Sequence, residues 1–522
     1  MTMTSNGWDI RVGATVALAL GLLGIGCGDD QAGVPGSDSP LNAAAQAANG
    51  RNNIRPLAPL SGSMSGSRQP TFRYTPAGSA TVDLCDDRAC AHVVDAIAGS
   101  QGSAQPATPL RAGVLFWRVV SGQTISAVWQ LTIPGRDTGG DIAWGVVPDF
   151  NGDGLADVAI GSPQAGSQTV SVFNGQPGSS PGFTPDETLT GGALFGEAVA
   201  AAGDVNGDGF VDLAVAAGSN PGSVTVFLGG PAGPAAAGTT LRPGAVTSGF
   251  GATIASAGDV NGDGYADLLV GGVQHAQIFL GGPTGIARSA SLRLAGSTAN
   301  SLTGDASTVQ GPSDVNGDGM PDLFVGGALY LSSAGGLLAQ PGFAAGTLGF
   351  AGDENGDGFG DFGGVFAGTP DGIDKSQVLF SQAGETALGT AGDIDGDGYS
   401  DIISSLSSME GFPDRQRVYL GGPGSCGSTG CRTHLGIPIP GHDFVDGDLT
   451  AFLGGVGDVN GDGTDDLVAS TPDTGQAYFF NSLDYVLTPG ADNEAFAFPT
   501  WTFSPGFGAS FAALFGSVLP LQ

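Results

Sequence analysis

Asp149-Phe150-Asn151-Gly152-Asp153-Gly154-Leu155-Ala156-Asp157 is a nine-residue stretch that returns six more times, beginning at Asp204, Asp259, Asp314, Asp353, Asp393 and Asp458. Every copy places an oxygen-bearing side chain at positions 1, 3, 5 and 9 and glycine at positions 4 and 6. The candidate ligand sets are Asp149, Asn151, Asp153, Asp157; Asp204, Asn206, Asp208, Asp212; Asp259, Asn261, Asp263, Asp267; and Asp314, Asn316, Asp318, Asp322. They continue with Asp353, Asn355, Asp357, Asp361; Asp393, Asp395, Asp397, Asp401; and Asp458, Asn460, Asp462, Asp466. A hard cation such as Ca2+ takes six or more oxygens, and alternate residues of a tight loop can turn their side chains inward while a main-chain carbonyl fills a further place. Glycine at position 6 permits the sharp bend. The pattern predicts up to seven structural Ca2+ sites.

Two other readings compete. A helical EF-hand loop needs a bidentate Glu at position 12, where this chain has Ile160, Val215, Val270, Val325, Gly364, Ser404 or Ala469. The residues after position 9, as in Asp267-Leu268-Leu269-Val270, instead read as entry into a buried strand. Asn-Gly and Asp-Gly also make hairpin turns, but turn chemistry explains the glycines and not the four oxygen positions.

The loops start 55, 55, 55, 39, 40 and 65 residues apart along 522 residues, which matches a repeat unit of several short strands. The formal net charge of −34 is strongly acidic, and 22 of the carboxylates occupy ligand positions, three in each of six loops and four in the loop with Asp395. Seven divalent ions would reduce −34 to −20. That balance, with only 16 Lys and Arg and no cluster of them in the sequence, excludes nucleic acid as a partner.

Arg11 followed by the apolar run from Val12 to Gly26 has the length of a signal-peptide core and is too short for a comfortable membrane span. Residues 1–27 end in Leu22-Leu23-Gly24-Ile25-Gly26-Cys27, which resembles a bacterial lipoprotein signal and implies lipidation of Cys27, although Gly24 departs from the usual aliphatic residue. Export to the cell envelope is expected, as an outer-membrane or surface lipoprotein, with plain secretion as the alternative. Residues 28–55 hold almost no large apolar side chains and read as a flexible tether.

Residues 56–136 alternate between strand and turn signals: Phe72-Arg73-Tyr74, Ala80-Thr81-Val82-Asp83-Leu84, Gly113 to Val119 and Ala127 to Ile133. They predict a small β-sandwich. The arrangement of Leu110, Gly113, Phe116-Trp117-Arg118-Val119 and Ser126-Ala127-Val128-Trp129 resembles fibronectin type III-like modules of bacterial surface proteins.

Within 137–490 the repeats have a readable inner order. An aromatic-Gly pair and a short strand precede several loops, as in Phe195-Gly196-Glu197-Ala198-Val199-Ala200 and Phe250-Gly251-Ala252-Thr253-Ile254-Ala255. A second strand follows the loop, then a third such as Val224 to Gly230, Ala276 to Gly282 or Arg417 to Gly422, and a fourth such as Thr240-Leu241-Arg242. These features resemble the FG-GAP repeat of integrin α-subunit head domains and their bacterial relatives. The resemblance implies an all-β fold, a seven-bladed β-propeller with calcium between the first two strands of each blade. The fourth repeat lacks the aromatic-Gly pair, the sixth has Leu388-Gly389 and the seventh Phe452-Leu453, so their inner strands are the less secure ones. In residues 491–522, Gly506-Phe507-Gly508-Ala509-Ser510-Phe511-Ala512 looks like another first strand without a loop after it, one that could close the ring.

In an exported protein two local disulfides are expected, one between Cys85 and Cys90 and one between Cys426 and Cys431, with no suitably spaced His to favour zinc. His92, His275, His434 and His442 fall in no metal or triad pattern. Gly178-Ser179-Ser180-Pro181-Gly182 matches the nucleophile-elbow string but sits in a Ser/Pro/Gly tract without its strand-to-helix context. No catalytic residue and no cofactor other than calcium is expected. The leading function is a non-enzymatic adhesion or binding module for a protein or glycan, anchored to the membrane through Cys27. The alternatives are a hydrolase or its accessory domain acting on polysaccharide or phosphoester, and a structural envelope spacer.

Overall fold

The computed structural model describes residues 54–518 apart from 137–142, 244–248, 297–308, 342–349, 407–414, 424–431, 437–451, 482–499, 503–509 and a few shorter stretches. Cys27 and the 28–55 tether, except its last two residues, lie outside the described residues.

The described secondary structure is all β. Arg55–Ala58, Phe72–Thr75 and Ser103–Ala104 form one small sheet. A second sheet runs in the order Ala143–Trp144, Ser63–Ser65, Trp129–Ile133, Gly113–Ser121, Ala80–Cys85 and Val93–Gly99, with Thr124–Ile125 beside Gly113–Ser121. Alternate strand residues point to one face, so Val82 and Leu84, Leu115, Trp117 and Val119, and Phe72 and Tyr74 meet in one buried core between the sheets. The ring centroids of Phe72 and Trp117 are 4.8 Å apart, and Trp117 meets Trp129 edge-on at 5.6 Å.

Of the two expected disulfides, the one between Cys85 and Cys90 is present and packs on Phe116. The other expected pair, Cys426 and Cys431, lies outside the described residues.

Seven further sheets follow among the described residues, and six of them share one antiparallel order. The second shows the plan: Phe195–Gly203, Asp212–Ser219, Gly222–Phe227 and Thr239–Leu241 succeed one another from the inside outward. Its inner strand carries Ala198, Ala200 and Ala202, all buried, where the strands of a ring converge and large side chains would collide. Apolar cores form between neighbouring sheets. One joins Ala200, Val224 and Val226 to Ile254, Leu268 and Phe279, so each sheet buries its faces against the next. The inner strands that depart from the aromatic-Gly pattern are nonetheless present, as Val309–Ser313, Glu385–Gly392 and Phe452–Gly457. This succession is that of a β-propeller.

The first sheet is built differently. Ala143–Trp144, which precedes its loop, pairs with Ser63–Ser65 of the sandwich. The inner place beside Val158–Ser162 is taken by Ser510–Ala513, with Ile160 opposite Phe511, and Gly516–Val518 pairs with Ser510–Ala513. Gly516–Val518 also lies against the inner strands of the second, third, fourth and seventh sheets, at the centre of the ring. Val456, Val468 and Phe479 share a core with Val158, Ile160 and Phe173, which joins the last sheet to the first. Deleting residues 510–522 is expected to bare the edge of Val158–Ser162 and cause concentration-dependent self-association. Sedimentation that stays monomeric over a wide concentration range would contradict this.

Candidate metal centres

The second loop shows how the backbone and the acids build each site. The Asp204 carboxylate caps the turn: Oδ1 accepts from the N–H groups of Gly207 at 2.7 Å and Asp208 at 3.1 Å, and Oδ2 from Gly209 at 2.7 Å. At position 9, Asp212 accepts from Val205 N–H at 2.8 Å and from Gly229 N–H at 2.7 Å, tying the loop to the turn after the third strand. Position 5 is fixed more lightly, since Asp208 accepts from Phe210 N–H at 3.0 Å and from the Asn206 amide at 2.8 Å. The same bonds recur in the first loop, where Asp149 caps Gly152 and Gly154 while Asp157 holds Phe150 and Gly175. Both glycines of this loop require the left-handed region, with φ of 73° at Gly152 and 96° at Gly154, which explains glycine at two positions and not only at the sixth.

Successive loops interlock. The N–H at position 8 donates to the position-1 carbonyl of the preceding loop: Ala266 to Asp204 at 2.9 Å, Gly360 to Asp314 at 2.8 Å, Ser400 to Asp353 at 3.0 Å and Asp465 to Asp393 at 2.9 Å. Ala156 donates likewise to Asp458 at 2.8 Å, which links the seventh loop to the first. These five links join the third loop to the second and run from the fourth loop through the seventh to the first, and each of the seven loops leads into the next strand of its sheet.

The electrostatics are costly without a counter-ion. Burial, then the neighbouring position-5 carboxylate, pushes Asp149 up to about 6 and Asp204 and Asp259 up to about 7. Burial and the position-1 charge raise Asp157, Asp212 and Asp267 well above the usual carboxylate range. In the sixth loop, oxygens of Asp393, Asp395 and Asp401 lie within 4.8 Å of one another. An all-oxygen set of clustered, buried carboxylates is the donor chemistry of a hard divalent cation, so the residues fit Ca2+. Asp465, which sequence reasoning passed over, is also buried and pushed up to about 8 by desolvation. It donates its N–H to, and accepts one from, Asp393 of the loop before it. The signal for it is a second acid directly before position 9.

These raised values fix a pH response. Between about pH 4, where unfolded Asp titrates, and about pH 7, the folded metal-free chain holds protons at Asp204 and Asp259 that the unfolded chain has released. Its stability is therefore highest at the acid end and falls as pH rises through this window. In a chelator the melting temperature is expected to drop between pH 5 and pH 8, whereas saturating Ca2+ removes the drop because the ion replaces the protons. Parallel profiles with and without Ca2+ would refute this.

The FG-GAP-like repeat family matches residues 149–215 and 204–270. Mouse integrin alpha-IIb is 38% identical over 144 residues, covering 24% of this chain and 14% of the relative. Xenopus laevis integrin alpha-5 is 32% identical over 194 residues, 31% of this chain and 18% of the relative. Gallus gallus integrin alpha-V is 32% identical over 203 residues, 34% of this chain and 19% of the relative. The chain thus carries FG-GAP-like repeats and is similar to integrin alpha chains, while the matches span less than a fifth of those relatives' own length.

Proposed function

We propose that this chain is a calcium-stabilised, non-enzymatic binding or adhesion module of the cell envelope. In this reading it is lipidated at Cys27, held clear of the membrane by the 28–55 tether, and meets a protein or glycan through the propeller face opposite the calcium loops. The observation that carries the reading is the sevenfold set of buried, mutually repelling carboxylates, joined to the likeness to integrin alpha chains. A divalent cation enclosed by such an all-oxygen set would have no open position with which to activate water. Among the described residues His92 pairs with Asp86 at 2.9 Å, and both are exposed surface groups.

Glycan-array and envelope-protein pull-down screens, run with Ca2+ and with a chelator, test the function. A partner retained only with Ca2+ is expected. Turnover of a polysaccharide or phosphoester, abolished by one blade-loop substitution that leaves folding intact, would overturn the reading. Mass spectrometry of the mature N-terminus tests the anchor: a diacyl or triacyl adduct on Cys27 is expected, and an unmodified N-terminus elsewhere contradicts it.

A further inference from the structure

The loop face is covered by the chain's own N-terminal sandwich. The Ser61 hydroxyl donates to the Gly209 carbonyl at 2.6 Å, inside the second loop. Gly62 approaches Val211 so closely that an added Cβ would collide with its Cγ2, and one on Gly209 would collide with the Val128 carbonyl. The two surfaces are fitted backbone to backbone.

Charge is fitted as well. Position 7 is aromatic in four loops, as Phe210, Tyr265, Phe359 and Tyr399, and is Leu155, Met320 or Thr464 in the others. The guanidinium of Arg88 lies 4.0 Å from the ring centre of Phe210, that of Arg55 4.5 Å from Tyr265 and that of Arg136 4.3 Å from Tyr399. Arg55 also donates to the Asp263 carbonyl, and Arg136 donates to the Gly356 carbonyl at 3.2 Å. Arg88 stands within the short loop closed by the Cys85–Cys90 disulfide. Its Nη1 and Nη2 are buried with no hydrogen-bond acceptor among the described residues, and its charge faces Asp149, Asp204 and Asp208. Scattered along the sequence, these cations converge on one face.

We infer that the sandwich is the built-in partner of the loop face, held by Arg55, Arg88 and Arg136 as fixed counter-charges, and that its docking and cation loading oppose each other. The second half rests on the calcium reading proposed above. One divalent ion offsets two of the negative charges that a loop's acids can carry, so loading lowers the charge that the arginines meet. Conversely, a guanidinium fixed beside the ligands repels an arriving cation. Such coupling is reciprocal, each event weakening the other by the same factor. The seventh loop, with Thr464 at position 7 and none of these three arginines on it, serves as an internal control.

The test compares the full chain with its Arg55→Gln/Arg88→Gln/Arg136→Gln variant, both checked for β structure by circular dichroism. Ca2+ uptake is measured against a chromophoric chelator, hydrogen exchange resolves the loops, and small-angle scattering reports the separation of the modules. The variant is expected to bind Ca2+ about fivefold or more tightly at the capped loops, to leave the seventh loop unchanged, and to scatter as a longer particle. Unchanged or weaker affinity in a folded variant overturns the opposition, and an unchanged scattering profile overturns the anchoring. Should the triple variant fail to fold, Arg88→Gln alone is read at the first two loops, with Arg88→Lys expected to restore the unaltered affinity by restoring the charge. An unaltered chain that takes up no Ca2+ overturns the calcium reading and the opposition with it, while scattering still decides whether the arginines hold the cover.

Discussion

Chelation of calcium is expected to lower the melting temperature of this chain by tens of degrees and open its blades to protease. With Kd on the order of ~0.1 mM per site, as in extracellular modules, ~2 mM Ca2+ contributes about 1.8 kcal/mol for each occupied site. Seven such sites together reach the whole net stability of an ordinary domain, about 5–15 kcal/mol. The physical origin is the burial seen in every loop: Asp204 and Asp212 are almost without solvent exposure, yet each must share its pocket with the other's charge. Differential scanning calorimetry in Ca2+ and in chelator measures the effect at constant pH. Superimposable melts would remove the cation from the account.

The second large effect separates candidate ligands that also build the fold from candidate ligands whose part would be binding alone. Asp212 is fully buried and its carboxylate accepts two N–H bonds, from Val205 and Gly229. Asp212→Ala leaves both donors buried and unpaired, at about 1–3 kcal/mol each, and so should destabilise the chain by about 2–6 kcal/mol even in chelator. Asp208 is exposed, and Asp208→Ala should cost no more than about 0.5 kcal/mol in chelator, with its main effect appearing only when Ca2+ is present. Denaturant melts of both variants in both conditions check this. Equal losses in chelator would show that the two positions do the same job. Because repeat units couple mainly to their neighbours, hydrogen exchange should rise chiefly in the second sheet and those beside it.

The loops were legible in the sequence because their chemistry is local. Four oxygen positions, two glycines and an apolar strand after position 9 lie within about a dozen residues, and the structure uses each of them in one turn. The third and fourth strands were legible for the same reason, as Gly222–Phe227 and Thr239–Leu241 show. What remained hidden depends on distant pairing. Ser510–Ala513 reads as a first strand and occupies a first-strand place, but its partner Ile160 is some 350 residues earlier, and nothing local specifies that pairing. The place is open because Ala143–Trp144 is drawn to Ser63–Ser65 instead. Val93–Gly99 was missed because it is an edge strand with most of its side chains exposed, so it shows no clear alternation. The arginines were invisible for a related reason. Arg55, Arg88 and Arg136 form no run in sequence and meet only when the sandwich lies on the loops.

Native mass spectrometry of the unaltered chain, transferred from a Ca2+-containing volatile buffer, counts bound ions directly. The account predicts a distribution that reaches seven Ca2+ per chain and collapses to zero after chelation, with the folded charge-state envelope shifting toward an unfolded one. A saturated chain that holds fewer than about four ions, or that keeps its folded envelope with none, would mean that these loops are turns and not metal sites.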